Sequence, residues 1–127
     1  MRGLSLCSSI VFSCIAIVGP AEAETMAGAW SGTGLERNVG HTPHIYPIEM
    51  TLQENNGTIE YPSLKCGGTL TRKPGESAIS GYDQFVENID HGSKCASGGT
   101  VYVKLEHGRL IWFWGDFAAI AVLDRKK

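Results

Sequence analysis

The ten-residue stretch from Tyr61 to Leu70 constrains the fold of this chain more than any other segment. It contains a tyrosine, then Pro62, then Cys66 followed by a pair of glycines. Proline cannot donate a hydrogen bond to a neighbouring strand, and a glycine pair permits a bulge or a close backbone approach. We therefore expect one strand to end at Pro62 and another to begin at Cys66, with the cysteine tied covalently to a distant part of the same domain.

The first 23 residues predict a secretory signal peptide. A basic residue is followed by an apolar run from Leu4 to Val18 and then by small residues up to Ala23, after which we expect cleavage. The run of about 15 residues is shorter than the roughly 20 that span a bilayer. An alternative is a lipoprotein leader acylated at Cys14. The mature chain, residues 24–127, is then one domain without an integral membrane segment.

Two of the four cysteines, Cys7 and Cys14, lie in this leader, so Cys66 and Cys95 remain. An even pair in an exported chain predicts a disulfide bond and a location in the periplasm or outside the cell. The chain-entropy relation gives a loop of about 30 residues a stabilisation of roughly 3.5 kcal/mol. That is a large share of the net stability of a domain of this size.

Charge and histidine spacing exclude several kinds of partner. The mature chain has 10 basic and 12 acidic residues (11 less Arg2, and 13 less Glu22), with no basic cluster, so we expect no nucleic acid partner. His41 and His44 are separated by a proline in a loop without further ligands. We therefore expect neither a metal site nor another cofactor.

Alternation of apolar and polar residues predicts an all-β domain. Tyr46, Ile48, Met50 and Leu52 share one face of a strand, and Asn56-Gly57 predicts the following hairpin turn. About eight short strands with a spacing near ten residues indicate an antiparallel up-and-down barrel. The predicted strands are Ala29–Leu35, Tyr46–Gln53, Ile59–Tyr61, Cys66–Arg72, Ile79–Ile89, Val101–Leu105, Leu110–Trp114 and Phe117–Leu123. The alanines of the last segment leave a short helix as its alternative.

The alternation also directs Glu87 toward the barrel interior, together with Phe85 and Ile89. A buried carboxylate needs a partner or a raised pKa. Two interpretations stay open: an ion pair with Arg37, Arg72 or Arg109, or a ligand contact in the mouth of the barrel.

Aromatic residues supply the remaining candidates for a ligand-binding site. Trp112 and Trp114 share one face of a strand and Phe113 lies on the other, although only one face of a barrel strand belongs to the core. Either Phe113 or the tryptophan pair is therefore exposed, covered, or used in binding. With Tyr61 and Glu87, these three residues form the predicted ligand-binding set.

Two sequence patterns resemble known β-barrel proteins. Gly28-Ala29-Trp30 resembles the Gly-x-Trp opening strand of the calycin barrels, the lipocalin and avidin-like proteins. A longer pattern is similar to small extracytoplasmic modules of bacteria, some at the sensor-side end of membrane serine/threonine kinases. It comprises Tyr61-Pro62-Ser63-Leu64, Cys66-Gly67-Gly68-x-Leu70, Phe85-x-Glu87-x-Ile89-x-x-Gly92, Cys95 and Leu110-x-x-x-Trp114. The resemblance implies a calycin-like barrel and no defined ligand.

These observations predict an exported bacterial binding module, not an enzyme, for a small apolar or glycan ligand. The alternative is an interaction protein, such as an inhibitor of a cell-wall hydrolase that acts through the loop from Glu36 to His44. The chain lacks the Ser-Gly-Ala and paired-cysteine pattern of C-type periplasmic lysozyme inhibitors. Catalysis by Glu87, Asp83 or the histidines is the third hypothesis, and it requires several titratable groups with shifted pKa in one cleft.

Overall fold

The computed structural model describes residues 25–37, 44–115 and 117–127, and these form eight antiparallel strands. Each strand pairs with the next, and the last pairs with the first, so the sheet closes into a barrel. The strands are β1 Gly28–Glu36, β2 His44–Leu52, β3 Asn56–Tyr61, β4 Cys66–Arg72, β5 Asp83–His91, β6 Thr100–Glu106, β7 Arg109–Trp114 and β8 Ala119–Arg125. The predicted all-β, eight-stranded, up-and-down barrel is confirmed. The predicted signal peptide lies outside the described residues.

The interior of the barrel is filled by side chains. Most inward positions of the strands are buried, including the four apolar residues of β2 that the alternation placed on one face. The largest fully buried apolar side chains are Trp30, Trp112, Phe85, Ile48, Leu52, Ile59, Leu70, Leu110 and Leu123. An eight-stranded barrel has an interior just wide enough for such a packed core.

Three local predictions needed correction. The fifth strand begins at Asp83 instead of Ile79, and the last strand is β8, so the short-helix alternative is wrong. The hairpin between β2 and β3 exists, but Asn56 and Gly57 belong to β3 and the turn lies before them. Gly57 is needed for another reason, because a Cβ atom there would collide with the carbonyl oxygen of Thr51 on the neighbouring strand.

One end of the barrel, which we call the closed end, is sealed by the residues that precede β1. The indole N–H of Trp30 donates to the carbonyl oxygen of Met26 at 2.9 Å. The guanidinium of Arg125 lies 4.3 Å from the centre of the Trp30 ring and donates to the carbonyl oxygens of Ala27 and Thr25. Cation–π contact and hydrogen bonds therefore hold this short segment across the end of the core.

The opposite end, which we call the open end, is framed by a covalent link. A short 3₁₀ helix, Pro62–Leu64, joins β3 to β4, and Lys65 closes it in the left-handed conformation with φ 56°. Cys66 at the start of β4 is bonded to Cys95 in the connection between β5 and β6, with Cα atoms 6.3 Å apart. This separation suits a disulfide. The predicted pairing therefore anchors the 92–99 connection beside the end of the core.

No helix within the described ranges is long and apolar enough to cross a membrane.

Candidate functional site

The open end contains a small cavity, which we call the mouth. Its volume is about 90 Å³. It is lined by Glu36, Tyr46, Tyr61, Leu64, Glu87, Lys94, Cys95, Ala96, Trp114 and Ala119. Half of this lining comes from inward positions at the strand ends that meet here, namely the ends of β1, β3 and β7 and the starts of β2 and β8. Glu87 comes from β5. The up-and-down topology therefore gathers residues that are far apart in the sequence.

Glu87 is the polar centre of the mouth. Its side chain points inward from β5 and is only 1% exposed. The Tyr61 hydroxyl donates to Oε2 of Glu87, and Nε1 of Trp114 donates to Oε1 at 2.7 Å. Burial raises the pKa of the Glu87 carboxyl, while the two hydrogen bonds act in the opposite direction. The predicted inward orientation of Glu87 agrees with the structure.

The predicted arginine partners of Glu87 are placed elsewhere. Arg72 forms an ion pair with Asp83 at 3.1 Å, and Arg109 pairs with Asp124 at 2.8 Å on the outer surface. Across the described part of the chain, no basic side chain forms an ion pair with Glu87. The hypothesis of a core-rim salt bridge is therefore wrong. A phenol and an indole replace the arginine because their apolar rings pack in the core while their polar tips reach the carboxylate.

Two tyrosines stand next to this carboxylate. Their rings meet edge to face, with centroids 5.7 Å apart. Burial, followed by the charges of Glu36 and Glu87, raises the pKa of Tyr46 to about 12. Burial and the neighbouring Glu87 raise the pKa of Tyr61 further. Both hydroxyls therefore stay protonated at any physiological pH, and that of Tyr61 donates to Glu87.

The structure brings together three of the five predicted ligand-binding residues. Tyr61, Glu87 and Trp114 form the hydrogen-bonded group just described. Trp112 is fully buried in the core and is not part of the mouth lining, and its indole N–H has no hydrogen-bond partner among the described residues. Phe113 faces outward and packs against Tyr82 and Phe117, with ring centroids 5.3 and 4.7 Å away. β7 therefore places Trp112 in the core, Trp114 in the mouth and Phe113 on the outer wall.

Seven of the ten mouth residues, all except Tyr61, Glu87 and Trp114, were outside the predicted ligand-binding set, and Glu36 and Tyr46 are the two of these that lie beside Glu87 on the strands of the barrel wall. Glu36 is the last inward position of β1, following Trp30, Gly32 and Gly34 in the alternation. Tyr46 was assigned to the core by its alternation, but it lies at the start of β2 and so reaches the mouth. The signal that could have found them is the antiparallel register, because Glu36 pairs with His44 and Gly34 with Tyr46.

The outer wall formed by β1, β2, β6, β7 and β8, which includes Phe113, is also distinctive. Directly paired residues point to the same side of a sheet. Successive pairings therefore align one outward row of apolar and aromatic side chains, comprising Ile45, Leu35, Ile120, Phe113 and Tyr102. Ile45, Ile120 and the adjacent Val122 are among the most exposed large apolar side chains of the described residues.

The histidines give no metal centre in the part of the chain that the structure describes. His41 lies outside the described residues, and His44 is 3.9 Å from Glu36. His91, expected in a turn, is the last residue of β5 and bridges Glu60 and Asp90 on the outer surface. No group of three or more potential ligands that could hold a metal ion is found among the described residues.

The mouth has one property expected of an enzyme and another expected of a binding site. Glu87, Tyr61 and Tyr46 all have a raised pKa within one cleft, as catalytic groups often do. Burial is the largest cause for each of them, and both oxygens of Glu87 already accept hydrogen bonds from the protein. This arrangement fixes an acceptor in place. It therefore favours recognition over proton transfer.

No family model, curated protein or solved structure matches this chain. The resemblance to calycin-like modules of bacterial kinases therefore stays a prediction.

Proposed function

We propose that this protein is an exported bacterial binding module that is not a catalyst and that receives the polar end of a ligand in the mouth. The observation that carries the proposal is the Glu87 carboxylate, which is buried yet aligned by Tyr61 and Trp114 at the edge of a cavity. Keeping a carboxylate away from water costs free energy, and contact with a ligand would explain why the protein has a carboxylate at this position. The disulfide supports a periplasmic or secreted location.

The size of the mouth narrows the kind of ligand. Pockets for whole small molecules usually enclose about 300–1,000 Å³, whereas this cavity measures about 90 Å³ and the interior beneath it is packed. An apolar molecule inside the barrel would have no space. We therefore favour the second of the two ligand types expected from the sequence, a glycan or a similarly polar molecule of which only one end enters the mouth.

Nuclear magnetic resonance of the tryptophan side chains tests this function. The chain has three tryptophans, so its indole N–H groups give three signals, and Trp114 alone belongs to the mouth. Titration with a panel of mono- and disaccharides should move the Trp114 signal with saturation and leave Trp30 unchanged. Trp114→Phe lacks the reporting indole, so its binding is followed by calorimetry and should be abolished, whereas Phe113→Leu on the outer wall should retain binding. A panel that leaves Trp114 unmoved would exclude a glycan as the ligand, and a panel that moves Trp30 equally would contradict binding in the mouth.

A second candidate, an inhibitor of a cell-wall hydrolase, is favoured by the exposed apolar row on the outer wall. Most of the loop first predicted to act, residues 38–43, lies outside the described residues. The protein should then slow lysozyme in a turbidity assay, and Ile120→Lys should remove the inhibition while Glu87→Gln preserves it. If wild-type protein leaves the clearing rate unchanged, lysozyme is not its target.

A further inference from the structure

The charge balance of the mouth is incomplete. The two donors to Glu87, a phenol and an indole, are neutral groups. Within the described residues, the ion pairs place no cation on this carboxylate. A buried charge is ordinarily paired or neutralised. The described part of the chain therefore orients the carboxylate without balancing its charge.

A second carboxylate lies in the same lining. Glu36, Glu87 and Tyr46 line the same cavity, and the charges of both carboxylates add to the effect of burial in raising the pKa of the Tyr46 hydroxyl. The only ion pair of Glu36 in the described structure is a long one, 3.9 Å to the exposed His44. Lys94 also lines the cavity, but it pairs with neither carboxylate. Within the described residues, the charged groups that line the mouth are thus two carboxylates and the ammonium of Lys94, which forms no ion pair there.

The rest of the lining suits a small cation. Tyr46, Tyr61 and Trp114 provide three aromatic rings around the cavity, and aromatic faces attract ammonium groups within about 6 Å. A volume of about 90 Å³ corresponds to roughly three water molecules in the liquid. The space admits the end of an aliphatic amine but not a whole sugar ring.

We propose that the mouth recognises an alkylammonium group, such as the end of a lysine-like chain, between the Glu36 and Glu87 carboxylates and the three aromatic rings. This inference rests on the proposed function, since it names the chemistry of the ligand end that enters the mouth. The bound ammonium would supply the positive charge that Glu87 lacks. Lys94 would oppose its entry by like-charge repulsion.

Three probes of matched size test the inference: n-butylammonium chloride, n-butanol and sodium butyrate. Each is titrated into labelled full chain at the same total ionic strength, with the Trp114 indole signal as the readout. We expect butylammonium to bind at least about tenfold more tightly than butanol, and butyrate to leave the signal unmoved, because a desolvated carboxylate discriminates strongly by charge. Equal binding of butanol, or tighter binding of butyrate, would overturn the inference.

Substitutions of residues that line the mouth test whether butylammonium binds there. Glu87→Gln keeps the shape of the side chain and should weaken butylammonium binding about tenfold or more without changing that of butanol. Lys94→Gln should strengthen it about threefold, as expected for removing one partly screened charge at the rim. If Glu87→Gln does not fold, as judged from the Trp30 and Trp112 signals, Glu36→Gln replaces it with an expected threefold weakening. Unchanged affinity in these variants would place any cation elsewhere and refute the site.

The outcomes separate the two proposals. If saccharides move Trp114 but butylammonium does not, the cation inference fails and the proposed function stands. If neither saccharides nor any of the three probes move Trp114, both fail.

Discussion

Both ends of the barrel contain a tryptophan whose indole N–H is satisfied, but the partners differ. At the closed end, Trp30 donates to the backbone carbonyl of Met26 and is covered by Arg125. At the open end, Trp114 donates to the buried side-chain carboxylate of Glu87. A backbone partner is neutral and costs little to bury, whereas a carboxylate is costly. The comparison indicates that the tryptophan of the closed end is held at little cost, whereas the open end bears the cost of a buried carboxylate.

Substitution of the two tryptophans is the strongest test of this difference between the two ends. Trp30→Ala should lower the free energy of unfolding by about 4 kcal/mol, because it removes a fully buried aromatic side chain and leaves a cavity. Trp114→Phe should cost only about 2 kcal/mol, the penalty for leaving one oxygen of Glu87 without its donor. Urea unfolding followed by circular dichroism measures both. A larger loss for Trp114→Phe would reverse the roles assigned to the two ends.

Most of the fold could be predicted because it follows from local pattern. The alternation in β2 fixes which residues face the core, and His107-Gly108 supplies the two positive φ angles, 53° and 79°, that a tight hairpin needs. The start of β5 could not be predicted in this way. Gln84 is buried although its strand position faces outward, because the preceding connection folds over it and hydrogen-bonds its amide. This cover is a tertiary contact, and no periodic pattern in the sequence indicates it.

The site could be predicted only in part, for a related reason. Alternation gave the inward direction of Glu87 but not its partners, since an indole and a phenol are as common in cores as in sites. Arg72 and Arg109 were plausible by charge, yet each lies next to an aspartate across a strand pair: Asp83 and Asp124. Which residues share the open end depends on register around a closed barrel, and register is a property of the whole sheet.

Removal of the disulfide provides a second test of the difference between the closed and open ends, because the bond lies at the open end alone. Cys66→Ser with Cys95→Ser should lower the free energy of unfolding by roughly 3.5 kcal/mol, as expected for a sequence separation of 29 residues. It should also speed hydrogen exchange around Lys94 and Ala96 in the mouth while leaving exchange at Trp30 at its native rate. Chemical reduction of wild-type protein is the matched control. An unchanged melting temperature in both would show that the bond contributes nothing to stability.

The smallest predicted effect concerns the pH dependence of the buried carboxyl. Burial raises the pKa of Glu87 above its ordinary value of 4.5, so the folded state holds this proton more tightly than the unfolded state does. At pH values below that ordinary pKa both states are protonated and the carboxyl costs nothing extra. As the pH rises from the ordinary pKa to the folded pKa, ionisation increasingly favours unfolding, by about 1.4 kcal/mol for each unit between the two values, and above the folded pKa this cost stays constant. Glu87→Gln cannot ionise, so its free energy of unfolding relative to wild type should increase from pH 4 to pH 7.

Trp30→Phe at the closed end, which removes no titratable group, should show a constant difference over the same range. A Glu87→Gln difference that is flat, or that falls as the pH rises, would mean that the open end bears no ionisation cost, and the contrast between the two ends would then lose its electrostatic basis.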